Sequence, residues 1–209
     1  MRIQKFGHSC LSVIDGSTSV LIDPGAFSTG FDDLTSLDAI LVTHVHDDHV
    51  DADRTAALVR NNPGVTVYAE QAAAEKLAAV GVAVTTVGPG ESFDVGIPVQ
   101  TFGGEHAIIH ADLPCFGNVG FLLGGRLFHP GDSLQVPDTA VEILAVPVMA
   151  PWMAMKEAID FERAVAPQVS IPIHDALLAM KGMYYDRLAQ MGPDGLRWLD
   201  LDSGDPVEL

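Results

Sequence analysis

Short apolar runs alternate along the chain with stretches of helical spacing. Strand-like runs recur as MRIQKF, SVLIDP, AILVT, VTVYA, VAVTTV, VQTFGG, GFLLGGRLFHP, EILAVPV and QVSIPI, rich in β-branched residues and bounded by turn formers. Between them, DADRTAALVRNN opens on aspartates suited to capping and ends before Pro63-Gly64, while EQAAAEKLAAVG ends on a glycine suited to the C′ position. MKEAIDFERAVA, stopped by Pro167, and MYYDRLAQM are two further helical segments. The mixture predicts sheets covered by helices. No low-complexity linker or internal repeat divides the chain, so residues 1–209 are expected to form a single domain around one core.

Charge narrows the partners. The 28 acidic against 11 basic side chains give a formal charge of -17, without a block of Lys or Arg. Such a surface repels polyanions, which excludes long nucleic acids as partners and leaves small molecules. MRIQKFGHSC lacks the apolar core of a secretory signal. The most apolar stretch, VEILAVPVMAPWMAM, carries Glu142, Pro147 and Pro151 and is too short to span a bilayer. A cytoplasmic protein without a membrane partner is expected. Cys10 and Cys115, the only cysteines, read as buried or site-adjacent thiols rather than a disulfide framework. The oligomeric state is left open.

The chemistry concentrates in LVTHVHDDHVDA, where His44, His46, Asp48 and His49 follow the run AILVT. In an extended segment His44 and His46 point the same way, and a sharp turn is needed to bring Asp48 and His49 back to a common centre. Imidazoles and carboxylates in that arrangement suit zinc, with manganese or iron also acceptable. Asp47, between them, reads as a solvated loop carboxylate.

This HxHxDH spacing resembles the signature of the metallo-β-lactamase superfamily, an α+β fold built as a four-layer αββα sandwich. Further matches follow in order beyond strand-like runs: His106 in TFGGEH, Asp132 in LFHPGD and His174 in IPIH. The resemblance runs from FGHSC to PIHD and leaves only the C-terminal tail outside. It implies that His44, His46 and His106 hold one divalent ion, that Asp48, His49 and His174 hold a second, and that Asp132 bridges them. Of the two histidines in GGEHAIIHAD, an extended chain would place the rings about 13 Å apart, so one ion cannot take both His106 and His110. The resemblance selects His106.

Seven ligands shared by two ions leave room for a bridging solvent that becomes the hydrolytic hydroxide, with Asp48 and Asp132 as the catalytic carboxylates. Asp23 reads either as the partner that orients a ligand or as a turn carboxylate before Pro24-Gly25. His8 and His129 read as structural. Substrate contacts are expected from His110, Asn118, Trp152 and Lys156, with a core position equally open for Trp152. FGHSC and PIHD look most similar to the small branch that includes ascorbate-phosphate lactonase-like proteins, while EHAIIHADLP departs from the GHTPG form of better-known branches. Ester, lactone, amide, thioester and phosphoester substrates all fit, and an RNA-processing nuclease, a phosphodiesterase or a non-catalytic metal sensor are the alternatives.

Overall fold

In the computed structural model, which describes residues 1–209, the first half runs β1 (Arg2–Lys5), β2 (Leu11–Asp15), β3 (Thr18–Ile22), β4 (Ala39–Val42), α1 (Ala52–Asn61), β5 (Thr66–Ala69), α2 (Gln71–Ala78) and β6 (Thr85–Thr86). The second half opens with β7 (Ser92–Asp94), β8 (Pro98–Glu105), β9 (Gly117–Leu123), β10 (Leu127–His129) and β11 (Ile143–Pro147). It closes with α3 (Met155–Val165), β12 (Val169–Ile173), α4 (Lys181–Met191), β13 (Arg197–Trp198) and β14 (Val207–Glu208). Two seven-stranded mixed sheets result, ordered β14-β1-β2-β3-β4-β5-β6 and β13-β12-β11-β10-β9-β8-β7.

Strand alternation explains the layering. In β4, Ala39 and Leu41 face the other sheet, while Ile40 and Val42 pack with Leu58 of α1 and Leu77 of α2. In β11, Ile143 and Ala145 join that same inter-sheet core, and Leu144 and Val146 meet Ile159 of α3 and Leu188 of α4. Both strands are buried throughout, which is why they read as unbroken apolar runs: each face is covered, one by a sheet and one by helices. The architecture is the αββα sandwich.

Helix ends follow their sequence signals. Asp51 caps α1 by accepting the Arg54 N–H at 3.1 Å, and Glu70 caps α2 through Ala72 at 2.9 Å. Beyond α2, Gly81 at φ 84° lets the N–H groups of Val82 and Gly81 return to the carbonyls of Leu77 and Ala78. Ala166 takes a left-handed φ of 51° after α3, ahead of Pro167.

Several elements depart from the expected pattern. Strand β2 lies in LSVID, outside the predicted runs, and forms a hairpin with β3 in which Asp15 pairs with Thr18. The two-residue loop Gly16-Ser17 starts with Gly16 at φ 59°, the conformation that a hairpin with Gly at its first loop position requires. GFLLGGRLFHP is two strands turning at Gly124-Gly125, VAVTTV shrinks to Thr85–Thr86, and α4 begins at Lys181, two residues before the expected segment. The C-terminal residues are part of the first sheet: β14 pairs with β1, Arg2 opposite Glu208.

Candidate metal centre

The residues of interest leave the ends of β1, β3, β4, β8, β10 and β12. After β4 the chain turns sharply, with the N–H groups of His49 and Val50 both bonding to the His46 carbonyl at 3.0 and 2.9 Å. That turn carries Asp48 and His49 back toward His44. The loop after β3 clasps it: Ala26 N–H bonds the Asp47 carbonyl at 2.7 Å, and Asp51 N–H bonds the Pro24 carbonyl at 3.0 Å. Gly25 permits the approach, since a Cβ there would stand 1.9 Å from the Asp48 carbonyl oxygen.

Each buried histidine has a partner that fixes its tautomer. The Nδ1–H of His49 donates to Asp23 Oδ2 at 2.7 Å, that of His106 to the Ala107 carbonyl at 2.5 Å, and that of His174 to the Met149 carbonyl at 2.6 Å. Thr43 Oγ1 gives its hydrogen to Asp23 at 2.8 Å, so the same oxygen accepts the Nδ1–H of His44 at 3.0 Å. All four Nε2 atoms are then lone-pair acceptors. They are buried, have no hydrogen-bond partner, and share that condition with Asp132 Oδ1.

These acceptors converge on Asp132. His49 Nε2 lies 3.0 Å from Oδ1, and the Nε2 atoms of His106 and His174 each lie 3.2 Å from Oδ2. His44 Nε2 is 4.0 Å from Oδ2. Donor atoms fall into two groups, each within 4.8 Å: His44, His46, His106 and Asp132, and His8, Asp48, His49 and His174. Lone pairs facing a carboxylate in a buried pocket call for a cation, which is the test of fit for a metal here.

The electrostatics express the same demand. Burial works to lower the pKa of His49, yet the charges of Asp132 and Asp23 push it well above the ordinary histidine value. Burial also opposes the rise of His174, which Asp132 drives. Burial and the neighbouring His49 push His44 well down. Burial works to raise Asp132, but His49 and His174 hold it well below the usual carboxylate range.

Asp23 is the orienter of His49 rather than only a turn residue: buried at φ 49°, its Oδ1 also takes the Thr43 N–H at 2.8 Å. His129 is spent internally, its Nε2–H on the Ser9 carbonyl at 2.9 Å and its Nδ1 on the Gly131 N–H at 3.3 Å. His8, read from sequence as structural, instead enters the centre, with Nε2 3.1 Å from Asp48 Oδ2. A histidine in GHSC at the end of a strand was the available signal. Asp47 sits outside the cluster, exposed and paired with Lys76 at 2.6 Å.

The expected substrate contacts scatter. Trp152 is half-buried and donates its Nε1–H to Asp132 Oδ2 at 3.0 Å. Asn118 is fully buried, its Oδ1 accepting the Asp132 N–H at 2.9 Å and its Nδ2 donating to the Pro130 carbonyl at 2.8 Å. Both ends of that amide are used, so Asn118 holds the Asp132 loop and does not reach a ligand. His110 lies in a turn instead of an extended segment, exposed, with Nδ1 accepting the Asp112 N–H at 3.1 Å. Lys156 is exposed in the first turn of α3. Cys10 is buried, and exposed Cys115 directs Sγ to the His106 carbonyl at 3.4 Å.

Behind His174 lies a feature with no sequence signal. Buried Lys5 bonds the buried Asp175 and also Asp202 at 2.7 Å. Lys181 reaches the same two carboxylates at 3.1 and 2.7 Å, and the Tyr185 hydroxyl donates to Asp175. The residue after His174 is thereby fastened to β1, α4 and the C-terminal segment.

Comparison with known proteins agrees with this geometry. The chain belongs to the beta-lactamase superfamily, whose domain profile matches residues 2–174, and its fold is that of the metallo-β-lactamases. It is 43% identical over 199 residues to Protein Rv0786c of Mycobacterium tuberculosis, covering 91% of this chain and 92% of that one. It is 30% identical to the UPF0173 metal-dependent hydrolase STH3160 of Symbiobacterium thermophilum, covering 83% and 84% of the two chains. The metallo-beta-lactamase fold protein YhfI from Bacillus subtilis superposes with a TM-score of 0.74 at 16% identity, over 99% of both chains. No helix is long and apolar enough to cross a membrane.

Proposed function

We propose that the protein is a dinuclear metal-dependent hydrolase of a small-molecule ester, lactone, amide or phosphoester. The observation that carries this reading is the convergence of four tautomer-fixed, unpartnered Nε2 atoms on the Asp132 carboxylate. His44, His46 and His106 would hold one ion and Asp48, His49 and His174 the other, with Asp132 a ligand common to both. Nitrogen and carboxylate donors of this kind suit zinc, with Mn2+ and Fe2+ as substitutes. Ions held there would supply Lewis acidity and lower the pKa of a bound water toward neutrality.

The chain's own groups organise that chemistry. Burial works to raise the Asp48 pKa, but the His8 hydrogen bond and the facing His49 and His174 hold it below the ordinary range. Asp48 therefore remains an anion able to orient the attacking water. Asp23 keeps His49 in the tautomer that presents Nε2, and Trp152 and Asn118 keep Asp132 in place from its side chain and backbone. The name of the Symbiobacterium relative supports hydrolysis, and the net charge of -17 disfavours long nucleic acids as substrates.

Metal analysis followed by assays on model esters, lactones and bis-phosphate esters tests the proposal. Two ions per chain and metal-dependent turnover are expected. Fewer than two ions, with no turnover after reconstitution, would overturn it.

A further inference from the structure

A cavity of about 570 Å³ opens beside the centre and shares His106 and Trp152 with it, a size typical of small-molecule sites. Resting on the hydrolase reading above, we propose that the substrate is an uncharged compound with an apolar arm seated in this cavity, and that substrates bearing a negative charge on that arm are rejected. Ile108, Leu134 and the Trp152 ring give the walls their apolar surface. Its carboxylates are Glu105 and Glu157, Ser133 and Gln135 add uncharged polar groups, and no Lys or Arg lines the cavity.

Beyond the ions themselves, the sources of anion affinity along such an arm are a basic side chain or an open helix N-terminus. Neither lines the cavity. Met155 and Lys156, whose N–H groups open α3, are absent from the lining, and Glu157 accepts the Ala154 N–H at 2.7 Å. That bond also fixes the Glu157 carboxylate beside the cavity. A negatively charged arm reaching past the ions would have to shed water against Ile108, Leu134 and Trp152 and approach two carboxylates, with no basic side chain in the lining to offset them.

The loops that leave the site residues extend the apolar character outward. Ile108 is 72% exposed and Leu113 52%, both after His106, and Leu177 and Met180 follow His174 at 53% and 66%. Phe27, on the loop after Asp23, packs its ring 5.4 Å from that of His8. Single exposed apolar residues need no explanation, but these issue from the loops of one centre.

Two chelating probes of equal length separate the possibilities: octanohydroxamate, with a methyl-ended arm, and the monohydroxamate of suberic acid, with a carboxylate-ended arm. Calorimetric titration into zinc-reconstituted protein should show octanohydroxamate binding at least tenfold tighter. In a Glu105→Gln/Glu157→Gln double variant, the carboxylate-ended probe should gain about threefold while octanohydroxamate is unchanged; glutamine keeps the α3 cap. Equal or tighter binding of the carboxylate-ended probe to the wild type overturns the substrate inference and leaves the hydrolase reading standing. Failure of both probes to bind protein holding two ions per chain overturns this inference, and absence of turnover in that protein overturns the hydrolase reading as well.

Discussion

His8 Nε2 stands 3.1 Å from Asp48 Oδ2, and the backbone N–H of Ala176, 3.3 Å from Nδ1, decides what that contact is. With Nδ1 accepting, the neutral ring carries its hydrogen on Nε2 and donates it to the carboxylate. A nitrogen engaged this way is not a ligand, although it lies within 4.8 Å of three atoms that are suited to be. His8 is a positioning residue for Asp48.

Removing that donor frees the Asp48 carboxylate, so His8→Ala should weaken the ion held with His49 and His174 by about 10- to 100-fold. The ion at His44, His46 and His106 should be retained. His8→Gln, whose amide nitrogen can occupy the place of Nε2, should recover most of the loss. Zinc titration against a competing chelator reads both sites. Equal weakening in the two variants, or none in the alanine, would contradict the assignment.

The centre was legible to the extent that its geometry is local. His44, His46, Asp48 and His49 sit on one strand-turn, and His106, Asp132 and His174 each follow an apolar run at positions that the resemblance to the metallo-β-lactamase superfamily picks out. His8 was not legible because its role depends on Ala176, far along the chain, which sets its tautomer. Asn118 was misread for a related reason: a polar residue at a strand start looks free until the Pro130–Asp132 loop folds over it. The layers were readable from unbroken apolar runs such as AILV and ILAVP. Strand β2 was missed because its alternation with serine and aspartate weakened the apolar signal, although the Gly16-Ser17 turn marked it.

Asn118→Ala should act through that loop. It strands the Asp132 N–H and the Pro130 carbonyl in a buried place, a loss of about 2–4 kcal/mol for two unsatisfied groups. Thermal unfolding should shift down by roughly 5–10 °C at this chain length. Ion occupancy should fall with it, because Asp132 loses its backbone anchor. A variant with unchanged melting and full occupancy would argue against the role.

Stripping the ions should destabilise the fold, because ions that bind only the native centre add stability by mass action. With free zinc near a hundred times the dissociation constant at each site, removing both ions should cost about 5 kcal/mol and lower the melting temperature by roughly 10–20 °C. Zinc should restore it. A melting curve indifferent to chelator and zinc would show that the clustered Nε2 atoms need no cation.

Away from the centre, Glu162 gives the fold its own pH dependence. It is fully buried in α3 with neither carboxylate oxygen hydrogen-bonded, and burial raises its pKa to about 7 against smaller opposing effects of Ser170 and Arg163. The folded pKa thus exceeds the unfolded value of about 4.5. The folded state holds this proton more tightly, so its contribution is fully present below about pH 4.5 and is lost as pH rises through 7. That loss is on the order of 2–3 kcal/mol between pH 5 and pH 8. Glu162→Gln, neutral at every pH, should remove this part of the slope and melt higher than the wild type at pH 8. Denaturant unfolding of both proteins at pH 5, 6.5 and 8 reads the difference. Parallel pH profiles would mean that Glu162 is solvated or paired in the folded protein and that its burial carries no titration.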